Sequence, residues 1–304
     1  MVTSELNGWL CLNKPTGISS NSAMLSVRKM FNQKTGYVGT LDPFATGVLP
    51  IAIGEARKFI RFIENSNKEY TFTVSFGIST DTLDKDGKIT ARTSKIPSKD
   101  DILRIISQFC GEIEQVPPIF SAIKIDGRRA CDRARKGEEL RMRPRKINIF
   151  SIELIEENLK QREATLEVSC SKGTYIRSLA RDMAEKMGSL CHVKNLCRRK
   201  SGFFSLNDSI SLEKLLEMGD TAAAVDVLIP LERPLDDIPA LNLRNRDVKR
   251  LRSGLRLTVE EEAFFSSEVK IFDDANRKFQ GVGFVSNSGE LRVVRMCARN
   301  EGII

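Results

Sequence analysis

The sequence predicts a mixed architecture of strands and helices in one large domain, followed by a small β-rich domain. Three observations carry this reading. Segments 70–76 and 164–170 alternate apolar and polar residues with period two, as half-buried strands do. Segments 98–111 and 174–187 carry apolar residues at helical spacing. Past the proline-rich stretch IPLERPLDDIPALN, the chain reads as short strands separated by turns. With 304 residues and roughly 150 per domain, two units fit, and we divide them as 1–237 and 238–304.

In YTFTVSF, Tyr70, Phe72, Val74 and Phe76 share one face, and Thr71, Thr73 and Ser75 the other. Polar turn sequence follows at 80–88. Ser98 with Asp101 has the spacing of a capping box. Ile102, Ile105, Ile106 and Phe109 then form a helical stripe that Gly111 can end. In ATLEVSC, Leu166, Val168 and Cys170 share a face. SKG turns the chain into a helix from about 174 to 187. Its stripe is Ile176, Leu179, Ala180, Met183, Ala184 and Met187, and Gly188 stops it. Arg177 and Arg181 lie four apart on another face. Tyr175 and Arg177 therefore stand at a strand–turn–helix junction, where side chains commonly line a cleft. In the tail, VKIFDD, GVGFVS and ELRVVRM read as strands.

Composition narrows the function. Hydrophobic residues make up 41% of the chain and charged ones 29%, enough for a sizeable core with a solvated surface. Net charge is +8, yet residues 231–304 carry 13 basic and 12 acidic side chains, so the excess belongs to the first domain. The densest basic run, 124–146, holds Lys124, Arg128, Arg129, Arg133, Arg135, Lys136, Arg141, Arg143, Arg145 and Lys146 against four acids. Lys194, Arg198, Arg199 and Lys200 form a second cluster. Charge runs are usually solvated faces, but two in one domain point toward RNA. The single histidine, His192, excludes most imidazole-based nucleophile schemes and His-based metal sites. Seven cysteines without a C-x-x-C pair fit reduced, filler thiols. No apolar leader, no 18-residue apolar run, no Walker A and no G-x-G-x-x-G occur. A soluble, cytoplasmic protein is expected, with no membrane partner.

Residues 36–50, GYVGTLDPFATGVLP, surround one acid, Asp42, with small residues. Pro43 restricts Asp42 to extended or turn backbone. Gly39, Ala45 and Gly47 would let a ligand backbone approach closely. An Asx-turn at a loop start explains the same D-P pair.

GTLDPFATGVLP closely resembles the catalytic loop of the TruB family of tRNA pseudouridine synthases. GWLCLNKPTGISS at 8–20 resembles its KP block, KEYTFTVSFGISTDTLDKDG at 68–87 its K-x-Y block, and GTYIRSLARDMAEKMG at 173–188 its arginine block. QVPPIFSAIKIDGRRA at 115–130 is similar to the start of its tRNA-gripping insertion. The likeness runs in order from about residue 8 to 205, and the tail matches the family's C-terminal PUA-like domain in position and size.

The resemblance implies an α+β pseudouridine synthase fold: a mixed, largely antiparallel sheet with flanking helices and a basic insertion at about 118–150. It implies isomerisation of uridine 55 in the tRNA T-loop to pseudouridine. Uracil is retained, so no cofactor or metal is implied. Asp42 matches the catalytic aspartate, Arg177 its paired arginine and Tyr70 the tyrosine that stacks on the target base. Tyr175 and Leu196 match pocket residues, with core packing as the alternative for both. Lys14 matches the KP block, where substrate contact and a structural role are both open. Tyr37 replaces the family's usual histidine, keeping a stacking surface without the imidazole. Cys131 stands where an aromatic is frequent. Lys124, Arg128, Arg135 and Arg143 of the insertion are the expected phosphate contacts. Attack at C6, attack at C1′ and a glycal-type elimination all remain open. The family implies a monomer with no obligate protein partner. Two other readings use the same residues: a tRNA-folding chaperone that needs no catalysis, and an RNA-guided rRNA modifier. A pure binder has no physical need for Asp42, Tyr70 and Arg177 together. The free-standing length and the basic insertion disfavour the guided modifier.

Overall fold

A computed structural model describes residues 6–158, 160–219 and 224–298. A ten-stranded sheet organises residues 8–211. From one edge its main path runs Ile210–Ser211, Gly8–Lys14, Thr46–Ile53, Cys191–Ser201, Lys68–Phe76, Glu163–Cys170, Arg145–Asn158 and Gly111–Gln115. Thr35–Tyr37 pairs with Thr46–Ile53, and Phe204–Ser205 with Cys191–Ser201. Pairing is antiparallel except at Ile210–Ser211 and at a short central contact, Cys197 and Arg198 opposite Thr46 and Gly47. That contact joins the two halves of the sheet and lies beside the 36–50 segment.

Burial follows the sequence patterns closely. Along Lys68–Phe76 every second residue is buried, and Tyr70, Phe72, Val74 and Phe76 share the inner face. Leu166, Val168 and Cys170 do the same on the neighbouring strand. Ser98 and Asp101 form a reciprocal capping box on helix Lys99–Ile106. That helix is shorter than its stripe: a 3₁₀ turn carries Phe109 inward, and Gly111 opens a strand. Helix Ile176–Lys186 starts two residues later than expected, with Tyr175 as its N-cap. Its buried set contains the expected stripe except Met187, the half-buried C-cap residue, plus Arg177 and Ser178.

Residues 124–134 form a small hairpin, Lys124–Ile125 with Arg128–Arg129, and the short helix Ala130–Ala134. The tail is a five-stranded sheet that includes the three expected strands. It also holds a helix, Asn245–Arg252, with Val248 and Leu251 buried, which the strand-only reading overlooked. The two sheets meet through one apolar cluster. Trp9 of the first strand is fully buried there with Phe59, Phe279 and Val282, and its Nε1 donates to Leu231 O at 3.0 Å. Among the described residues no helix is long and apolar enough to cross a membrane. All seven cysteines are free. Cys11, Cys170 and Cys191 are buried fillers, but Cys110 is exposed and corrects that reading for itself.

Candidate active site

Asp42 sits on a loop gripped from one side by the KP block. Gly17 N donates to Pro43 O at 2.8 Å, Thr16 Oγ1 to Phe44 O at 3.0 Å, and Ser20 Oγ both donates to Leu41 O and accepts from Leu41 N. Lys14 completes the grip. It has no exposed surface, and its ammonium donates to the carbonyls of Pro15, Ile18 and Pro43 at 2.7, 2.8 and 3.2 Å. Of the two open roles for Lys14, the structural one matches this geometry. Substrate contact does not, because no part of the side chain is reachable. Burial pulls the Lys14 ammonium down to about 8, with Asp42 opposing that fall.

The other side of the loop faces a cleft of about 400 Å³. Asp42, Tyr70, Tyr175, Arg177 and Leu196 line it together, although they come from four separate elements. Arg177 is 3% exposed, unlike its helix neighbour Arg181, which reaches solvent and pairs with Asp182. Its Nη2 donates to Asp42 Oδ1 at 3.0 Å and to Phe120 O at 2.9 Å, and its Nη1 to Thr82 O at 2.7 Å. Nε lies 2.8 Å from Asp42 Oδ2 but outside hydrogen-bond alignment, so this second contact is an ion contact only. Asp84, itself buried, lies 3.5 Å from Nη1. Arg177 is thus a hub between the catalytic-loop candidate, the 80–88 turn and the start of the insertion.

The charges in the cleft oppose one another. Burial pushes the Asp42 carboxyl above its ordinary value. Arg177 pulls it down, and Asp84 adds to the rise. Of these influences burial is the largest. About a third of the Asp42 side chain remains reachable from the cleft, 32% by surface. Burial also raises the phenols of Tyr70 and Tyr175. The backbone N–H and C=O of Tyr175 are both held by the Gln115 side chain, at 2.8 and 3.1 Å.

Two further expectations change. Gly39 and Gly47 leave room for the protein's own Arg198 rather than for a ligand. A Cβ on Gly47 would lie 2.3 Å from Arg198 O, and one on Gly39 3.1 Å from Arg198 Nη1. Arg198 therefore leaves the second basic cluster: it is 1% exposed and cannot meet a phosphate on the surface. Lys194 and Lys200 pair with Glu163 and Glu69. Tyr37 lies outside the cleft lining, half-buried against the core. In the insertion, Lys124, Arg128 and Arg143 are exposed and form no ion pair among the described residues, while exposed Arg135 pairs with Asp132 at 3.6 Å. Sequence reasoning missed Asp84, Gln115, Ser20 and Lys68. All four stood inside quoted blocks, but nothing in the string shows which polar side chains folding will bury.

A family model described as TruB family pseudouridylate synthase, N-terminal domain, matches residues 28–176, which include Asp42, Tyr70 and the Arg177 helix start at Ile176. A second, described as Pseudouridine synthase II TruB, C-terminal, matches residues 239–297. The chain belongs to the TruB family of pseudouridylate synthases. A tRNA pseudouridine synthase B of Zymomonas mobilis is 44% identical over 261 residues, covering 84% of this chain and 86% of that protein. Another, of Caulobacter vibrioides, is 43% identical over 250 residues, covering 82% and 80%. Among solved structures, a chain of a Cbf5-Nop10-Gar1 complex aligns with a TM-score of 0.72 at 22% identity, over 95% of this chain and 84% of that one. That likeness is one of fold. The architecture is the α+β pseudouridine synthase fold, with a small β-rich C-terminal unit.

Proposed function

We propose that this enzyme converts uridine 55 of the tRNA T-loop to pseudouridine, with Asp42 as the reacting carboxylate. The observation that carries the proposal is the Arg177–Asp42 pair at the floor of a cleft also lined by Tyr70. An isomerisation breaks N1–C1′, turns the retained uracil and forms C5–C1′, while C5 loses a proton and N1 gains one. It needs a carboxylate held ionised beside a base-sized space. Arg177 supplies the counter-charge, and the fully held loop keeps Asp42 in place while the base turns.

A uridine in a folded loop must leave its stack, at a cost of a few kcal/mol. Stacking on an aromatic such as Tyr70 offsets roughly 1–3 kcal/mol of that. The free cations Lys124, Arg128 and Arg143, with Arg135, form the face that grips the tRNA backbone, and Tyr37 meets displaced loop bases. Names of the relatives above support tRNA as the substrate. In this reading residues 1–237 hold the chemistry and 238–304 add RNA contact.

The test is to incubate the purified protein with an unmodified tRNA transcript and map pseudouridine in the product. A single new pseudouridine at position 55 is expected. Modification elsewhere, or none, would remove the proposal.

A further inference from the structure

Helix Ile176–Lys186 carries Arg177 in a first turn that its own sequence holds poorly. The N-cap residue, Tyr175, makes no side-chain capping bond, and no acid stands in the first turn. Arg177 itself places a positive charge at the positive end of the helix dipole. The start is held from outside, by the segment that leaves the edge strand Gly111–Gln115. Gln115 is 2% exposed. Its Oε1 accepts from Tyr175 N at 2.8 Å and its Nε2 donates to Tyr175 O at 3.1 Å. One side-chain amide thus grips the peptide groups on both sides of a single residue. A carboxylate could meet only the N–H, and an aliphatic side chain neither. The same Tyr175 O accepts the first bond of the helix, from Leu179 N at 2.9 Å. Further along the segment, Val116 O accepts from Ser178 Oγ at 2.9 Å and from Arg181 Nη2 at 3.1 Å, and Phe120 O from Arg177 Nη2 at 2.9 Å. Pro117 and Pro118 between them restrict the backbone.

We propose that Gln115 is a positioning residue that fixes the Tyr175 backbone and thereby sets the Arg177 guanidinium against Asp42. It acts through the helix start and touches no substrate: Tyr175 and Arg177 line the cleft, and Gln115 does not. Arg177 is sensitive to such placement. Its Nη2 is shared between Asp42 Oδ1 and Phe120 O, and its Nε lies 2.8 Å from Asp42 Oδ2 without hydrogen-bond alignment. A small shift of the helix start therefore changes how the pair meets. The inference rests on reading this cleft as the uridine site.

Gln115→Leu removes both bonds at similar volume. It should lower kcat for pseudouridine formation about tenfold, the scale of a displaced group. KM for tRNA should stay within about threefold. The acid limb of the rate profile should move to higher pH, because a loosened Arg177 opposes the rise of the Asp42 carboxyl less, while Asp84 and Lys14, the other charges acting on that carboxyl, are unaltered. Gln115→Glu keeps an acceptor for Tyr175 N and should recover part of the rate. The deciding comparison adds Gln115→Leu to Arg177→Gln. A residue acting through Arg177 costs less than about threefold more in that background. A tenfold loss in both backgrounds, an unchanged kcat, or a raised KM with kcat kept would overturn the proposal. If Gln115→Leu fails to fold by circular dichroism, Gln115→Glu is read by the same comparison. Amide hydrogen exchange over residues 174–180 tests the grip without turnover and should be faster in Gln115→Leu than in the parent. Exchange at the parent's rate would also overturn the proposal. A parent enzyme that makes no pseudouridine would remove the functional reading and leave the exchange result separate.

Discussion

Replacing Arg177 by glutamine removes one aligned hydrogen bond to Asp42 at 3.0 Å and an ion contact at 2.8 Å. A hydrogen bond to a charged group contributes about 1.5–3 kcal/mol. About a third of the Asp42 side chain reaches solvent, which screens the pair, so the lower part of that range applies. About 1.5–2 kcal/mol corresponds to a tenfold to thirtyfold loss of rate. The loss carries a pH signature. If Asp42 reacts as proposed, turnover needs the carboxylate and falls as pH drops through the Asp42 pKa. Burial already holds that carboxyl above its ordinary value, and Arg177 is the main opposing influence. Without Arg177 the carboxyl rises further and the acid limb moves to higher pH. The deficit is then largest in acid and shrinks as pH rises. Single-turnover pseudouridine formation on a tRNA transcript, measured across pH, reads this directly. An equal loss at every pH with an unmoved acid limb would refute the electrostatic argument and leave Arg177 a purely structural role.

Asp84→Asn should act in the opposite direction. Asp84 adds to the rise of the Asp42 carboxyl, so its neutralisation moves the acid limb of the same profile to lower pH. Lys14→Met strips the donor from the carbonyls of Pro15, Ile18 and Pro43, at about 1–3 kcal/mol for any group left buried and unsatisfied, and should lower the denaturant midpoint of unfolding. Unchanged stability with weaker tRNA binding would instead make Lys14 an RNA contact. Replacing Lys124, Arg128 and Arg143 together by alanine should weaken tRNA binding and reduce the salt dependence of log K by roughly 0.7–0.9 per lost phosphate contact. A gel-shift series against salt with an unchanged slope would remove those three residues from the interface.

Strand and helix positions were legible wherever one face is buried, because period two in 70–76 and the stripe in 176–184 are direct imprints of the core. Helix Asn245–Arg252 escaped notice because only Val248 and Leu251 are buried in a highly charged segment. Asp42, Tyr70 and Arg177 were named from motifs, and folding brings all three to one cleft. The misread charges share a single cause. Lys14, Lys68, Asp84 and Arg198 look like surface residues in the string, but each is buried, Lys68 on the nearby carbonyls of Glu64 and Ser66 and the other three with at least one partner distant in sequence. Arg198 illustrates this best: its acceptors at 38, 39 and 48 lie about 150 residues away in sequence. Glycine spacing was read correctly as close approach and wrongly as approach by a ligand, since Gly47 makes room for another strand of the same chain.

The central claim is that the Asp42 carboxylate carries the isomerisation while other residues hold the RNA. Asp42→Asn keeps the side chain's shape, and Arg177 retains the Thr82 and Phe120 carbonyls and the nearby Asp84. The decisive measurement follows this variant beside the parent enzyme on one tRNA transcript, scoring binding by gel shift and pseudouridine by mapping. The account predicts undiminished binding with no pseudouridine at position 55. Turnover by the variant, or loss of binding and turnover together, would contradict it.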